Sequence, residues 1–221
     1  MPHKEVKGWP SVTQVINVLD KPGLCNWYGK LGTAECNRIK NESAAFGTHV
    51  HTLIEAWLTG KPGGVVEVDT MPTQEETACF SGFQKWYETS GLEPVSMEPE
   101  DSVKSTLFGY QGTWDFIGRQ HGTLLVADWK TSNALYDTVG LQLAAYAQLY
   151  GESQGWDRDT IWRNIPNGLA VRIDKKTAKV YPKVYEGLRW YFDVFQSLLL
   201  PYQFVSHSGA WQKPDKEDSE D

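Results

Sequence analysis

Gly112-Thr113-Trp114-Asp115-Phe116-Ile117 and, after a polar stretch, Leu124-Leu125-Val126-Ala127-Asp128-Trp129-Lys130 are the residues whose reading decides the fold. The run from Leu124 to Ala127 is continuously apolar, as a buried central strand would be. Phe116-Ile117 closes the strand before it, and Arg119-Gln120-His121-Gly122 reads as a tight polar turn. Asp128 then falls at the end of the second strand. Lys130, two residues on, points to the same face. Paired as a hairpin, the two strands bring Asp115 near Asp128. Two carboxylates held that close repel unless a cation lies between them. The bare chemistry points to a hard divalent metal with oxygen ligands and a lysine beside it.

The remaining composition sets limits. The chain has 221 residues, 40% of them apolar and 22% charged. That is a soluble globular composition, enough for one domain with a sizeable core. The net charge is −7, of which the stretch 213–221 carries two lysines against five acids. Even without it the protein is acidic, so a nucleic-acid footprint must be local or a metal must supply positive charge. The ten tryptophans are core material, or in part stacking platforms. Three cysteines, Cys25, Cys36 and Cys79, form no CxxC and no even framework, which fits a reducing compartment. No stretch reads as a signal peptide or a membrane span, so a cytoplasmic protein is expected.

Going outward from the hairpin, Ser11 caps a first helix carrying Val12, Val15, Ile16 and Leu19, and Lys21-Pro22-Gly23 ends it. A second helix is expected over 24–38. A third, capped by Ser43, carries Phe46, Val50, Leu53, Ile54 and Trp57 on its apolar face and ends at Gly60. On it Gly47, His51 and Glu55 share one stripe. Glycine inside a helix costs about 1 kcal/mol against alanine, so Gly47 suggests a close approach on that side. Residues 73–90 read as an amphipathic helix stopped by Gly91. Residues 94–106 read as a strand with Glu98 and Glu100 on one face. Residues 137–150 form a helix bearing Gln142 and Tyr146 four apart. A hairpin over 169–182 turns at Asp174-Lys175-Lys176-Thr177, and 184–200 is a closing aromatic helix. His49, His121 and His207 read as surface residues, and Lys175, Lys176, Lys179 and Lys183 of the second hairpin as a solvated face, with a DNA-tracking strip the second reading. The layout is α/β with a mixed central sheet flanked by helices. One domain is expected over 1–205, with a helical part at about 10–90, a sheet core at about 94–200 and an acidic disordered tail over 206–221.

Four segments, Gly47-Thr48-His49-Val50-His51, Gly112-Thr113-Trp114-Asp115, Asp128-Trp129-Lys130-Thr131-Ser132 and Gln142-Leu143-Ala144-Ala145-Tyr146, match GxxxH, GxxD, DxK-T-S and QxxxY in order. Together they resemble the PD-(D/E)XK nuclease superfamily, in its RecB-like exonuclease branch. Pro10-Ser11-Val12-Thr13 and Lys21-Pro22-Gly23 resemble the openings of phage exonucleases and of the mitochondrial genome-maintenance type. The resemblance spans roughly residues 10–200. It implies a restriction-endonuclease-like core with an N-terminal helical part. It further implies a magnesium- or manganese-dependent exonuclease that hydrolyses phosphodiester bonds from DNA ends.

By that resemblance His51, Asp115, Asp128 and the backbone carbonyl of Trp129 hold one or two Mg²⁺ or Mn²⁺ ions, and Lys130 positions or polarises the attacking water. Glu100 takes the place of an acid on the preceding strand, with Glu98 the competing register. Gln142 and Tyr146 orient the site or touch the DNA backbone. The cysteine quartet of the iron–sulfur members is absent, and so is the GxxxxGK[ST] of a helicase motor. The implied setting is phage or prophage recombination, repair or replication in a host cytoplasm. DNA with a free end is the partner, together with a recombinase or a single-strand-binding protein. A structure-specific endonuclease uses the same core, and a non-catalytic DNA-binding scaffold is the reading outside the enzyme class.

Overall fold

A computed structural model describes residues 8–19, 21–60, 71–97 and 102–208. Four helices come first: α1 (Val12–Ile16), α2 (Pro22–Leu31), α3 (Thr33–Leu58) and α4 (Gln74–Ser90). Strands β1 (Leu92–Met97), β2 (Val103–Ser105), β3 (Tyr110–Gly112), β4 (Phe116–Gln120) and β5 (Thr123–Lys130) follow. Helices α5 (Thr138–Ser153) and α6 (Arg158–Asn164), strands β6 (Asn167–Ile173) and β7 (Val180–Glu186), and helix α7 (Leu188–Ser208) complete the order. The main sheet runs β1-β4-β5-β6-β7, while β2 and β3 form a separate ribbon. Within the main sheet the β5–β6 pair is parallel and the other pairs are antiparallel; a crossover through α5 and α6 joins β5 to β6. The mixed sheet flanked by helices is the α/β layout expected. None of the described helices is long and apolar enough to cross a membrane.

The sheet divides the core in two. Ile117, Leu124, Val126, Ala170 and Tyr185 pack on one face with α1, α5 and α7. Phe116, Leu125, Ala127, Trp129, Leu169, Val171 and Ile173 pack on the other with Val50 and Ile54 of α3 and Cys79 and Phe83 of α4. Strand alternation sorts these residues, which is why neighbours in sequence join different clusters.

Several boundaries differ from expectation, each for a local reason. The chain between α2 and α3 breaks at Gly32, whose φ of 78° suits glycine and few other residues. Past it α3 runs unbroken through Ser43, so Ser43 caps nothing. Arg38 braces this stretch at 2.6 Å from both Glu35 and Glu42. Phe116 opens its strand rather than closing it. β4 runs on to Gln120, because His121 and Gly122, both at positive φ, make a two-residue turn whose twist suits a hairpin. Gly112 belongs to the β2–β3 ribbon, so the Gly112–Asp115 motif spans a break between sheets. The strand expected over 94–106 is divided between β1 and β2. Glu98 and Glu100 lie outside the described residues.

The closing helix starts at Leu188, not Val184, because β7 pairs along its whole length with β6 before Gly187 turns the chain. Helix α6 was not anticipated, although Asp157 caps it by accepting from the Thr160 N–H at 2.7 Å. The cap at Ser11 and the left-handed Gly91 stand where the sequence put them, and Thr73, expected inside its helix, caps it instead.

Candidate active site

Strand β5 positions the first two polar side chains. Asp128 and Lys130 alternate with Ala127 and Trp129, so they share the face opposite the Trp129 ring. That ring is fixed in an aromatic cage, with centroids 4.9 Å from Phe83, 5.5 Å from Phe116 and 6.4 Å from Trp86. The cage anchors the middle of the Asp-Trp-Lys triplet and holds its polar neighbours in a fixed direction.

The β4–β5 register supplies Asp115. Phe116 pairs with Ala127, and Asp115 stands just before that pair, close enough for its charge to act on Asp128. Asp115 Oδ2 accepts the Trp129 N–H at 2.8 Å, which ties the strand entrance to β5. His51 comes from α3, about 64 residues earlier in the chain, and its Nδ1 stands 3.5 Å from that same Oδ2. Helix α3 approaches closely at this point. A Cβ added at Gly47 would lie 3.2 Å from Thr131 Oγ1. The close approach read from Gly47 is therefore present, on the residue after Lys130.

The electrostatics is that of a buried, self-compensating cluster. Lys130 Nζ lies 2.6 Å from the buried Asp128 Oδ2. Burial pushes the Asp128 carboxyl up to about 6, with Lys130 opposing the rise and Asp115 adding to it. Burial pushes the same way on Asp115, but His51 and Lys130 hold it below the usual range. Burial opposes charge on His51 and on Lys130. The two aspartates nonetheless raise both groups above their ordinary values.

This donor set is of the kind that suits a divalent cation: two neighbouring carboxylates and an imidazole beside them. Lys130 provides the local counter-charge to Asp128 in the structure. Among the described residues no group of three or more His, Cys, Asp or Glu side chains is arranged to hold a metal ion.

Gln142 Nε2 donates to the Tyr146 hydroxyl at 2.9 Å, so the QxxxY pair is a bonded pair along α5. The Tyr146 ring lies against Gly112, where an added Cβ would meet Tyr146 at 2.9 Å and Val12 at 3.0 Å. Gly112 is thus a close-packing glycine that lets α1, α5 and the β2–β3 ribbon meet. His49 is not a surface residue: it is half-buried, and its Nδ1 lies 3.0 Å from Glu76 of α4. One neighbour went unread. The parallel β5–β6 register sets Arg172 beside Lys130, and Arg172 in turn pairs with Tyr181 of β7. No local motif marks Arg172, because only strand register brings it there.

No family model matches the chain, and no curated protein matches it. Among solved structures, that of SSO0001 is similar over 96% of this chain and 81% of its own, at 14% identity and a TM-score of 0.44.

Proposed function

We propose that this protein is a divalent-metal-dependent deoxyribonuclease of the PD-(D/E)XK type, in the RecB-like exonuclease branch, acting from DNA ends. One observation carries the reading: Asp115, at the entrance to β4, and Asp128, near the end of β5, gather at one place, with Lys130 against Asp128 and His51 against Asp115. A purely structural cluster of this kind is a weak stabiliser, since burying charges is costly even when they are paired. Perturbed titratable groups gathered at one strand end are more often chemical in purpose.

In this reading His51, Asp115, Asp128 and the Trp129 carbonyl would hold Mg²⁺ or Mn²⁺. When bound, the ion neutralises a phosphate oxygen and lowers the pKa of a coordinated water. The chain's own residues do the rest. The Trp129 N–H fixes the Asp115 carboxylate in one rotamer. Lys130, held above its ordinary range by the two aspartates, stays an ammonium at neutral pH. It offers a compact cation to charge developing on the phosphate, or orients the attacking water. The apolar walls beneath, from Val126 and Ala170, keep the dielectric low and these interactions strong.

The test is digestion of end-labelled linear and covalently closed DNA with Mg²⁺, Mn²⁺ or EDTA. Linear DNA should be shortened from its ends only when a metal is supplied, and closed circles should survive. Cleavage in EDTA, or wild-type rates in Asp128→Ala protein, would overturn the assignment. Efficient cutting of closed circles would replace the exonuclease with an endonuclease on the same core.

A further inference from the structure

The row of paired residues leading away from Lys130 ends on an exposed aromatic. Lys130 of β5 pairs with Arg172 of β6, and Arg172 pairs with Tyr181 of β7. One row deeper, Asp128 pairs with Ala170 and Ala170 with Lys183. Residues paired in register share a face, so Arg172, Tyr181 and Lys183 lie on the same face of the sheet as the acids. From β5 to β7 the row crosses two strand spacings, about 10 Å. Ala170, between Asp128 and Lys183, is wholly buried, so the open way towards the acids runs along the Lys130–Arg172–Tyr181 row.

The chemistry along this path is specific. The Arg172 guanidinium lies over the Tyr181 ring, 4.4 Å from its centroid, and the ring remains 44% exposed. Arg172 also reaches Asp174 at 3.1 Å. Lys183 reaches Asp137 at 3.4 Å, and Asp137 is almost wholly solvent-exposed, so that pair is weak and its ammonium can exchange partners. Tyr136, another exposed aromatic, stands at the same rim, its carbonyl accepting the Tyr185 hydroxyl at 2.9 Å. An acidic protein thus has cations and aromatics interleaved beside its cluster of acids.

We propose that Arg172, Tyr181 and Lys183 form the track for a single DNA strand leading to the Asp115–Asp128–Lys130 site. The Tyr181 ring stacks on an unpaired base, and Arg172 and Lys183 take the flanking phosphates. The proposal rests on the nuclease reading and adds to it the class of substrate. A base inside a duplex has both faces covered by its neighbours and cannot lie on a protein ring. Aromatic platforms therefore select unpaired strands, and do so with little regard to sequence. The local cations supply the footprint that a net charge of −7 denies the protein as a whole.

Binding without cleavage separates the two ideas. Fluorescence anisotropy in EDTA would compare a labelled oligothymidine with a blunt hairpin duplex, on wild type, Tyr181→Ala, Tyr181→Phe and Lys183→Ala. The single strand should bind more tightly than the duplex. Tyr181→Ala should weaken it on the order of tenfold, within what one base–aromatic stack contributes, and Tyr181→Phe should keep most of it. Lys183→Ala should lower affinity and reduce the slope of log affinity against log salt by about 0.7, as loss of one phosphate contact to a single strand does. Equal binding of strand and duplex, or wild-type affinity in Tyr181→Ala, overturns the track. A Tyr181-dependent single-strand preference in a protein that cleaves nothing with Mg²⁺ or Mn²⁺ keeps the track and removes the nuclease. Metal-dependent cleavage with indifferent Tyr181→Ala binding does the reverse.

Discussion

Gly47→Ala probes the packing that brings His51 to the strand end. The new methyl on α3 would lie 3.2 Å from Thr131 Oγ1, a few tenths of an ångström tighter than ordinary contact. Two effects then oppose each other. Replacing a mid-helix glycine by alanine favours folding by about 1 kcal/mol. Overfilling a packed contact disfavours it by about 1–3 kcal/mol. Thr131 is 8% exposed and follows Lys130 directly, so it has little room to turn away. The contact should win, leaving the variant less stable by about 1 kcal/mol. For a chain of this size that lowers Tm by about 2–4 °C. In a Thr131→Ala background the obstructing oxygen is gone, and the same substitution should stabilise by up to about 1 kcal/mol. The coupling of about 2 kcal/mol lies within the range for residues in contact. Urea melts followed by circular dichroism on the four proteins, all metal-free at one pH, measure it. An identical effect of Gly47→Ala in both backgrounds would refute the close approach. Under the proposed function the single variant should also lose cleavage, because His51 sits one helical turn on, and Thr131→Ala should restore part of it.

Asp115→Ala, Asp128→Ala and Lys130→Ala should each abolish cleavage while circular dichroism stays unchanged; calorimetry should find Mn²⁺ binding weakened by the first two and spared by the third. His51→Ala should cut activity strongly and shrink any advantage of Mn²⁺ over Mg²⁺, since imidazole is the softer ligand, which rate ratios in the two metals would read out. Asp128 keeps its proton in the fold up to about 6, against 3.8 ordinarily, so unfolding releases a proton between those values and its contribution, full at low pH, fades as pH rises through 6. With His51 also raised, metal-free protein should go on losing stability through the histidine range. Urea melts from pH 4 to 7 should register the Asp128 part as at most about 3 kcal/mol, and Asp128→Asn should flatten it. Gly112→Ala should cost about 1–3 kcal/mol, because its methyl would press on Tyr146 and Val12 inside a filled core, and a falling denaturant midpoint would register it.

What the sequence determined by itself is what periodicity and short-range chemistry can encode. The apolar run ending at Asp128 marked β5, and strand alternation put Asp128 and Lys130 on one face before any contact was known. A small residue in a helix, Gly47, marked a close approach without saying to what. The cap at Ser11 and the stop at Gly91 are local hydrogen-bond and φ requirements, so they were legible too. Boundaries were lost where pairing decided them. Residues Val184–Glu186 have no period that separates strand from helix; they are strand because β6 offers seven partners in a row. Gly112 looks continuous with Asp115 until the ribbon claims Gly112 and leaves Asp115 just ahead of β4. The site itself is non-local. Tertiary structure alone set Thr131 under Gly47, turned His51 onto Asp115, pressed Tyr146 onto Gly112, and lined up Lys130, Arg172 and Tyr181 across three strands. Those residues are tens of positions apart, and nothing in a linear chain fixes the register that makes them neighbours until the two faces of the sheet have each buried their own apolar set.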